Sequence, residues 1–429
     1  MTQRERLLII GAGPKAAAIC AKCSVLRDLG HRPPRPIVFE RKKAGAHWTG
    51  DHGFTTGRLL LGTAPEKDVG FPYLPHPDNS KVAPELYRRY SWSAFQISEG
   101  GGLSDWIDRG RPHPTHEEWS EYVSWVIEHS MSDLRKRHRR SEPREDFGET
   151  DGFVKGEVVA IDLHDNRWKI TVTKGGQNQD YEGEKLLVTG PGKVKCLRCV
   201  DDALKASGLI LFGDNFWTAD NLDAIDKSSR AVANDPIVIV GGGETAASIT
   251  AYLAERDHKV LILTRSGTIF SRGEGYFENR VYSGISHWGD IPEVARREII
   301  RRTDRGVFSP GVIAKLASAR NLEHRFCEVT NVELRQPNLL MINGGIRCRL
   351  LIIAMGFDPL SFRKMIKPRN NGLLEALDQE PLTITQDLSA QLPDDHPKLY
   401  LPMLAGFDQG PGFPNLSCLG LMSDRILGG

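Results

Sequence analysis

Seven cysteines in 429 residues are too few, and odd in number, for a disulfide framework, so a reduced, cytoplasmic setting is expected. An excess of either charge is also missing. Lys and Arg number 56 against 55 Asp and Glu, a formal net charge of +1, which leaves no global electrostatic case for nucleic acid or an anionic membrane. No apolar run approaches the ~20 residues of a membrane span, so stable membrane insertion is not expected. The first apolar residues read as a strand rather than as a secretory signal. There is no low-complexity tract and no repeat beyond two glycine turns. With 40% hydrophobic and 26% charged residues, the composition is that of an ordinary globular protein. Its length allows about two or three domains.

Residues 7–16 read LLIIGAGPKA. Four apolar residues run into Gly11, Ala12 and Gly13, and Ala16 then opens the helix-forming run AAAICAKCSVL. This spells a buried strand, a glycine turn and a helix. Gly11 permits the tight turn, Gly13 admits a pyrophosphate close to the backbone, and the small Ala16 lets helix meet strand. The helix N-terminus would face the phosphates with unpaired N–H groups. A second strand, 36–39, ends in Glu40, whose carboxylate can accept from a ribose hydroxyl.

The pattern recurs in PIVIVGGGETAASI, residues 236–249, with Gly241, Gly243 and Ala246 in the same positions. Here the following strand, 259–263, ends in Thr264-Arg265. An acidic residue suits a free 2′-hydroxyl and repels a 2′-phosphate, whereas an arginine clamps that phosphate. The first unit therefore fits FAD and the second NADPH.

Between and around these units the chain alternates loops and regular elements. Residues 41–80 are rich in Gly and Pro and read as functional loops. Thr115 and Glu118 form a capping-box pattern ahead of a helix. Residues 134–152 read as an exposed charged loop whose basic half precedes an acidic half, which does not describe a nucleic-acid patch. Residues 154–161 and 167–173 read as paired strands. The strand endings Val188-Thr189-Gly190 and Ala354-Met355-Gly356 resemble each other. They suggest that the chain leaves the first domain near 190–208 and returns near 345–356. Helices are expected over 292–302 and 310–319, and Asn415 is a candidate N-cap for a final helix. Cys20 and Cys23 fall on one face of the first helix and read as core. Cys196-x-x-Cys199 precedes the second glycine motif and leaves open a flavin disulfide reductase. A nucleotide-binding regulator without turnover is a further alternative.

Both glycine motifs, Glu40 followed by Gly45-x-x-Trp48, and Ala354-Met355-Gly356 resemble class B flavin monooxygenases. More closely, the chain is similar to the N-hydroxylating amino-acid monooxygenases of siderophore biosynthesis, and within them to the lysine 6-N-monooxygenases of mycobactin-type pathways. The stretches that carry this are GAGPKAAAICAKCSVLRDLG, LGTAPEKDVGFPY, IDRGRPHPTHEEWSEYVSWV, VGGGETAAS, RGEGYFEN, RTDRGVFS and QGPGFPNLSCLGLMSDRIL. They extend over residues 11–427.

The resemblance implies an α/β protein with two Rossmann-like domains, the NADPH domain inserted in the FAD domain, and a small, mostly helical substrate region. The expected divisions are 1–207 for the first part of the FAD domain, 208–344 for the NADPH domain with the substrate region at about 275–330, and 345–429 for the return segment. FAD and NADPH are the implied cofactors, and O2 and L-lysine or a lysine derivative the implied substrates. The Lys67-Asp68 pair would hold the substrate carboxylate, with Lys67 as its binding residue. Asn279 would bind the amino acid, and Ser417 would lie by its amine and the nicotinamide. Trp48 would belong to the flavin site and Arg265 would bind the NADPH 2′-phosphate. Two departures stand out. Ornithine-type enzymes carry Met-Gln where this chain has Leu61-Gly62, and Asn-Tyr where it has Asp304-Arg305, which argues against a plain ornithine hydroxylase. A homo-oligomer is compatible with all of this.

Overall fold

In the computed structural model, the structure describes residues 4–76, 79–98, 102–136, 152–228, 235–283, 285–303, 306–336, 339–393 and 396–428. Asp304, Arg305 and most of the charged stretch 134–152 lie outside these residues.

Two five-stranded sheets organise the chain. In the first, the strand Arg6–Ile10 lies between Arg35–Glu40 and Lys185–Val188, with Phe153–Lys155 and Leu399–Tyr400 at the edges. Every neighbouring pair is parallel. Leu7, Leu8 and Ile9 are wholly buried, as expected for a parallel strand covered on both faces. In the second sheet, Ile237–Val240 is flanked by Val260–Thr264 and Leu350–Ile353, with Leu322–Phe326 and Ile210–Phe212 outermost. These pairs are also parallel. Sequence order and sheet order differ because helices cross between parallel strands. The helix Pro14–Asp28 follows the first sheet's leading strand, and Glu244–Ala254 follows the second's.

The second sheet moves two expected boundaries. Leu350–Ile353 does not belong to a return segment starting at 345. It is an inner strand between Ile237–Val240 and Ile210–Phe212, so the crossing back follows Ala354. The run LLII is buried throughout because it has parallel neighbours on both sides and cover on both faces. Likewise, the helical stretch expected over about 275–330 ends earlier. After the helices Tyr276–Ser283, Glu293–Thr303 and Pro310–Leu316, the strand Leu322–Phe326 already pairs with Val260–Thr264. The two crossings run side by side: Phe357 and Asp358 pair antiparallel with Val194 and Lys193.

Local expectations map onto the structure with small shifts. The helix His116–Arg135 starts on a complete capping box at Thr115 and Glu118. Its residues Trp119, Tyr122, Val123 and Val126 are fully buried. Val154 belongs to the first sheet, while Glu157–His164 pairs antiparallel with Arg167–Lys174. Asn415 is not the cap of the last helix, which spans Leu419–Gly428; its side chain accepts from the Ser417 N–H at 2.8 Å and closes a turn ahead of it. No helix among the described residues is long and apolar enough to cross a membrane.

Candidate active site

At the first glycine turn, Gly11 has φ +97, and a Cβ there would lie 2.5 Å from Thr189 Oγ1. Only glycine suits both the backbone and the space. Gly13 is the N-cap of a 15-residue helix that has no side-chain cap and no acidic residue in its first turn. A Cβ on Gly13 would meet nothing within 4 Å. A helix end with no side-chain cap and a clear approach to it suits a pyrophosphate. Ala16 is fully buried. The Glu40 carboxylate sits beside the turn, accepting from Ala12 N–H at 3.0 Å and from Lys42 N–H at 2.8 Å. Thus the first unit fits a dinucleotide.

Next to it, Trp48 packs against the core of the first sheet, and His47 lies between Trp48 and Phe54, with centroid distances of 5.1 and 4.5 Å. Burial pushes the His47 imidazole down to about 4, and does the same to His116, whose Nδ1 lies 2.8 Å from Thr55 Oγ1. Both rings are therefore neutral at pH 7.

The second turn repeats the geometry. Gly241 has φ +142, and a Cβ on it would collide with the Ala354 carbonyl. Gly243 is an N-cap without a side-chain cap, and Ala246 is buried. Thr264 abuts Gly242, with its Cγ2 3.3 Å from where a Cβ would sit. Arg265 therefore leaves its strand next to the turn, exposed and with no partner among the described residues. That is the placement an anionic group near the turn requires.

The residues expected to hold an amino acid come from three distant stretches. Lys67 Nζ donates to Asn279 Oδ1 at 2.6 Å. Burial, followed by the nearby Arg272 charge, lowers the Lys67 pKa from its ordinary value, and Glu274 offsets part of the shift. The Asn279 amide nitrogen donates in turn to the Glu274 carbonyl at 2.7 Å. Ser417 is 9% exposed and follows the turn that Asn415 closes.

Asp68 behaves differently from its neighbour. Its carboxylate points into the core and accepts from Tyr73 OH at 2.6 Å, Trp92 N–H at 2.8 Å and Gly70 N–H at 3.1 Å. Burial pushes its pKa up to about 7. It shapes the loop that presents Lys67, and its oxygens are committed inside the protein.

Further residues came to light only in the structure. The Arg272 guanidinium hydrogen-bonds the Gly62 carbonyl and ties the 61–67 loop to the segment that leads into Asn279. Lys15 is 6% exposed and donates to the Pro414 and Asn415 carbonyls at 3.0 and 3.4 Å. Lys22 does the same to Gly420 O at 2.8 Å. Two lysines seven apart, bracketing the apolar run AAAICA, were a readable signal for these buried staples. Cys196 is exposed, Cys199 half-buried, and both are free thiols. They lie on the crossing between the sheets, where Cys199, Leu197 and Val200 pack against the second sheet. Cys20 and Cys23 are buried, and burial pushes Cys23 up to about 12.

No protein-family model matches the chain. Curated relatives do. The L-lysine N6-monooxygenase MbtG of Mycobacterium tuberculosis is 36% identical over 442 residues, covering 98% of this chain and 94% of its own. The chain belongs to the L-lysine N6-monooxygenase family. The relative of the same name in Mycolicibacterium paratuberculosis is also 36% identical, over 444 residues, with 98% and 95% covered. Among solved structures, lysine monooxygenase NbtG from Nocardia farcinica, described for its NADPH domain conformation, is 33% identical with a TM-score of 0.78, and 98% of each chain is covered. The Kutzneria ornithine N-hydroxylase KtzI, in a complex with reduced FAD, NADP+ and L-ornithine, shares the fold at 17% identity and a TM-score of 0.73, covering 99% of this chain and 98% of its own.

Proposed function

We propose that this chain hydroxylates the side-chain amine of L-lysine with O2, using FAD and NADPH, as a step of hydroxamate siderophore biosynthesis. Beside family membership, the observation that carries this reading is the Lys67–Asn279 hydrogen bond. It sets a half-buried ammonium and an amide together where an amino acid's charged end can be anchored.

The two sheets are read as Rossmann-like units, the second inserted in the first. FAD belongs to the turn of Gly11, Gly13 and Ala16, with Glu40 toward its ribose and Trp48 alongside. NADPH belongs to the turn of Gly241, Gly243 and Ala246, with Arg265 on the 2′-phosphate. Bound flavin supplies the redox and oxygen chemistry. The chain's own residues bind, orient and dry the site. Lys67 offers a compact charge to one carboxylate oxygen, Asn279 flanks it, and Ser417 lies toward the far amine. That amine must be neutral to attack, although its ordinary pKa is about 10.4. Desolvation favours the neutral form.

The test is direct. Purified protein with FAD and NADPH is offered a panel of primary amines, and hydroxylated product is measured separately from NADPH oxidation. Lysine-dependent hydroxylamine supports the reading. NADPH oxidation that yields no hydroxylated product with any amine overturns it.

A further inference from the structure

Glu274 stands at the hub of the contacts around Lys67. Its carbonyl accepts from Asn279 Nδ2, and Asn279 Oδ1 accepts from Lys67. Of its carboxylate, only Oε1 is engaged, by Arg272 Nε at 3.0 Å and Nη2 at 2.6 Å. Oε2 makes no hydrogen bond among the described residues, and the side chain is 46% exposed. Arg272 is held in place by its second contact, to the Gly62 carbonyl, so the carboxylate has a fixed bearing.

The charges pose a question. Lys67 and Arg272 together already suit a substrate carboxylate. An anion beside them works against that carboxylate, because like charges at short range repel. A free amino acid resolves the conflict, since its α-ammonium lies next to its carboxylate. Two cations and one anion then face one anion and one cation. We propose that Glu274 reads the α-ammonium of the substrate through Oε2, so that the site selects lysine with a free α-amino group over α-acylated or α-deaminated analogues. This rests on the lysine-hydroxylase reading above and adds a specificity-determining residue to it. Arg272 is then a positioning residue, since it acts by aiming Glu274.

The experiment compares L-lysine, Nα-acetyl-L-lysine and ε-aminocaproate, which is lysine without its α-ammonium, on wild type and Glu274→Gln. Glutamine keeps the oxygen that Arg272 holds and removes the charge. Hydroxylated product and the split between kcat and KM are read for each. Wild type is expected to favour lysine over both analogues. Glu274→Gln should lower kcat/KM for lysine about tenfold to a hundredfold, mostly through KM, and leave ε-aminocaproate unchanged or improved. Equal losses on lysine and ε-aminocaproate, or a wild type indifferent to the α-ammonium, overturn the proposal. Should wild type hydroxylate none of the three, the function reading falls. Calorimetric titration of the FAD- and NADP+-loaded protein then still judges Glu274: lysine bound equally by wild type and Glu274→Gln overturns the assignment, and selective loss of lysine binding supports it.

Discussion

Lys67 and Asn279, 212 residues apart in the chain, meet through a 2.6 Å hydrogen bond from Nζ to Oδ1. One comes from a Gly/Pro-rich loop of the first unit and the other from a helix that follows the second sheet's Val260–Thr264 strand. Their meeting ties a loop beside the first sheet to a helix that follows a strand of the second. It also means that each side chain holds the other in place before any substrate arrives.

Lys67→Ala is expected to retain FAD and reduction by NADPH while losing amine hydroxylation, by about 1.5–3 kcal/mol in transition-state terms. Misplacement of the amine by an ångström can add about a hundredfold. Reducing equivalents should then appear as peroxide. Because Asn279 is the partner, Lys67→Ala and Asn279→Ala should be less than additive in a double-mutant cycle. Wild-type hydroxylation by Lys67→Ala would move the substrate site elsewhere.

Arg265→Ala should weaken NADPH by about 1.5–3 kcal/mol, the worth of a charge-assisted contact, and leave NADH nearly unaffected. Steady-state kinetics with both nicotinamides decide it. An equal loss with the two would show that Arg265 does not read the phosphate.

The double replacement of Cys196 and Cys199 by serine should leave NADPH-driven hydroxylation nearly intact. Both thiols sit on a crossing segment, Cys196 exposed and Cys199 packed toward the second sheet. A folded double mutant whose flavin can no longer be reduced would revive the disulfide-reductase reading.

Asp68 predicts a pH dependence. Burial raises its pKa from 3.8 to about 7. Protonation is thus easier in the folded protein than in the unfolded chain. The stability this contributes is fully present below about pH 4 and is lost as pH rises through about 7. Asp68→Asn does not titrate, so the melting temperature of wild type minus that of Asp68→Asn should fall between pH 5 and pH 8. A flat or rising difference would mean that the three donors around the carboxylate outweigh burial.

Lys15→Met should loosen the segment that carries Ser417. It removes the ammonium that Pro414 and Asn415 carbonyls accept from, at a cost of about 1–3 kcal/mol for a buried acceptor left unpaired. The melting temperature of the FAD-loaded protein should drop, and the fraction of NADPH oxidation ending in hydroxylamine should drop with it. A melting loss with unchanged coupling would confine Lys15 to a structural role.

What the sequence determined by itself is what neighbouring residues dictate. An apolar run, Gly11-x-Gly13-x-x-Ala16 and a helix former specify a strand, turn and helix because each step is local, and the same holds at Gly241-x-Gly243-x-x-Ala246. The Thr115–Glu118 box was legible for the same reason, since donor and acceptor are three residues apart. The family was legible because its motifs are spread along the whole chain. Tertiary structure decided the rest. Leu350–Ile353 could serve either sheet by its own apolar character, and only its two parallel neighbours place it in the second. Lys67 and Asp68 are adjacent and both charged, yet one faces Asn279 and the other the core, because loop geometry sends successive side chains apart. Glu274 and Arg272 look like ordinary surface charges in the sequence, and only the tertiary structure sets Arg272 on the Gly62 carbonyl and the Glu274 carbonyl on Asn279, the partner of Lys67.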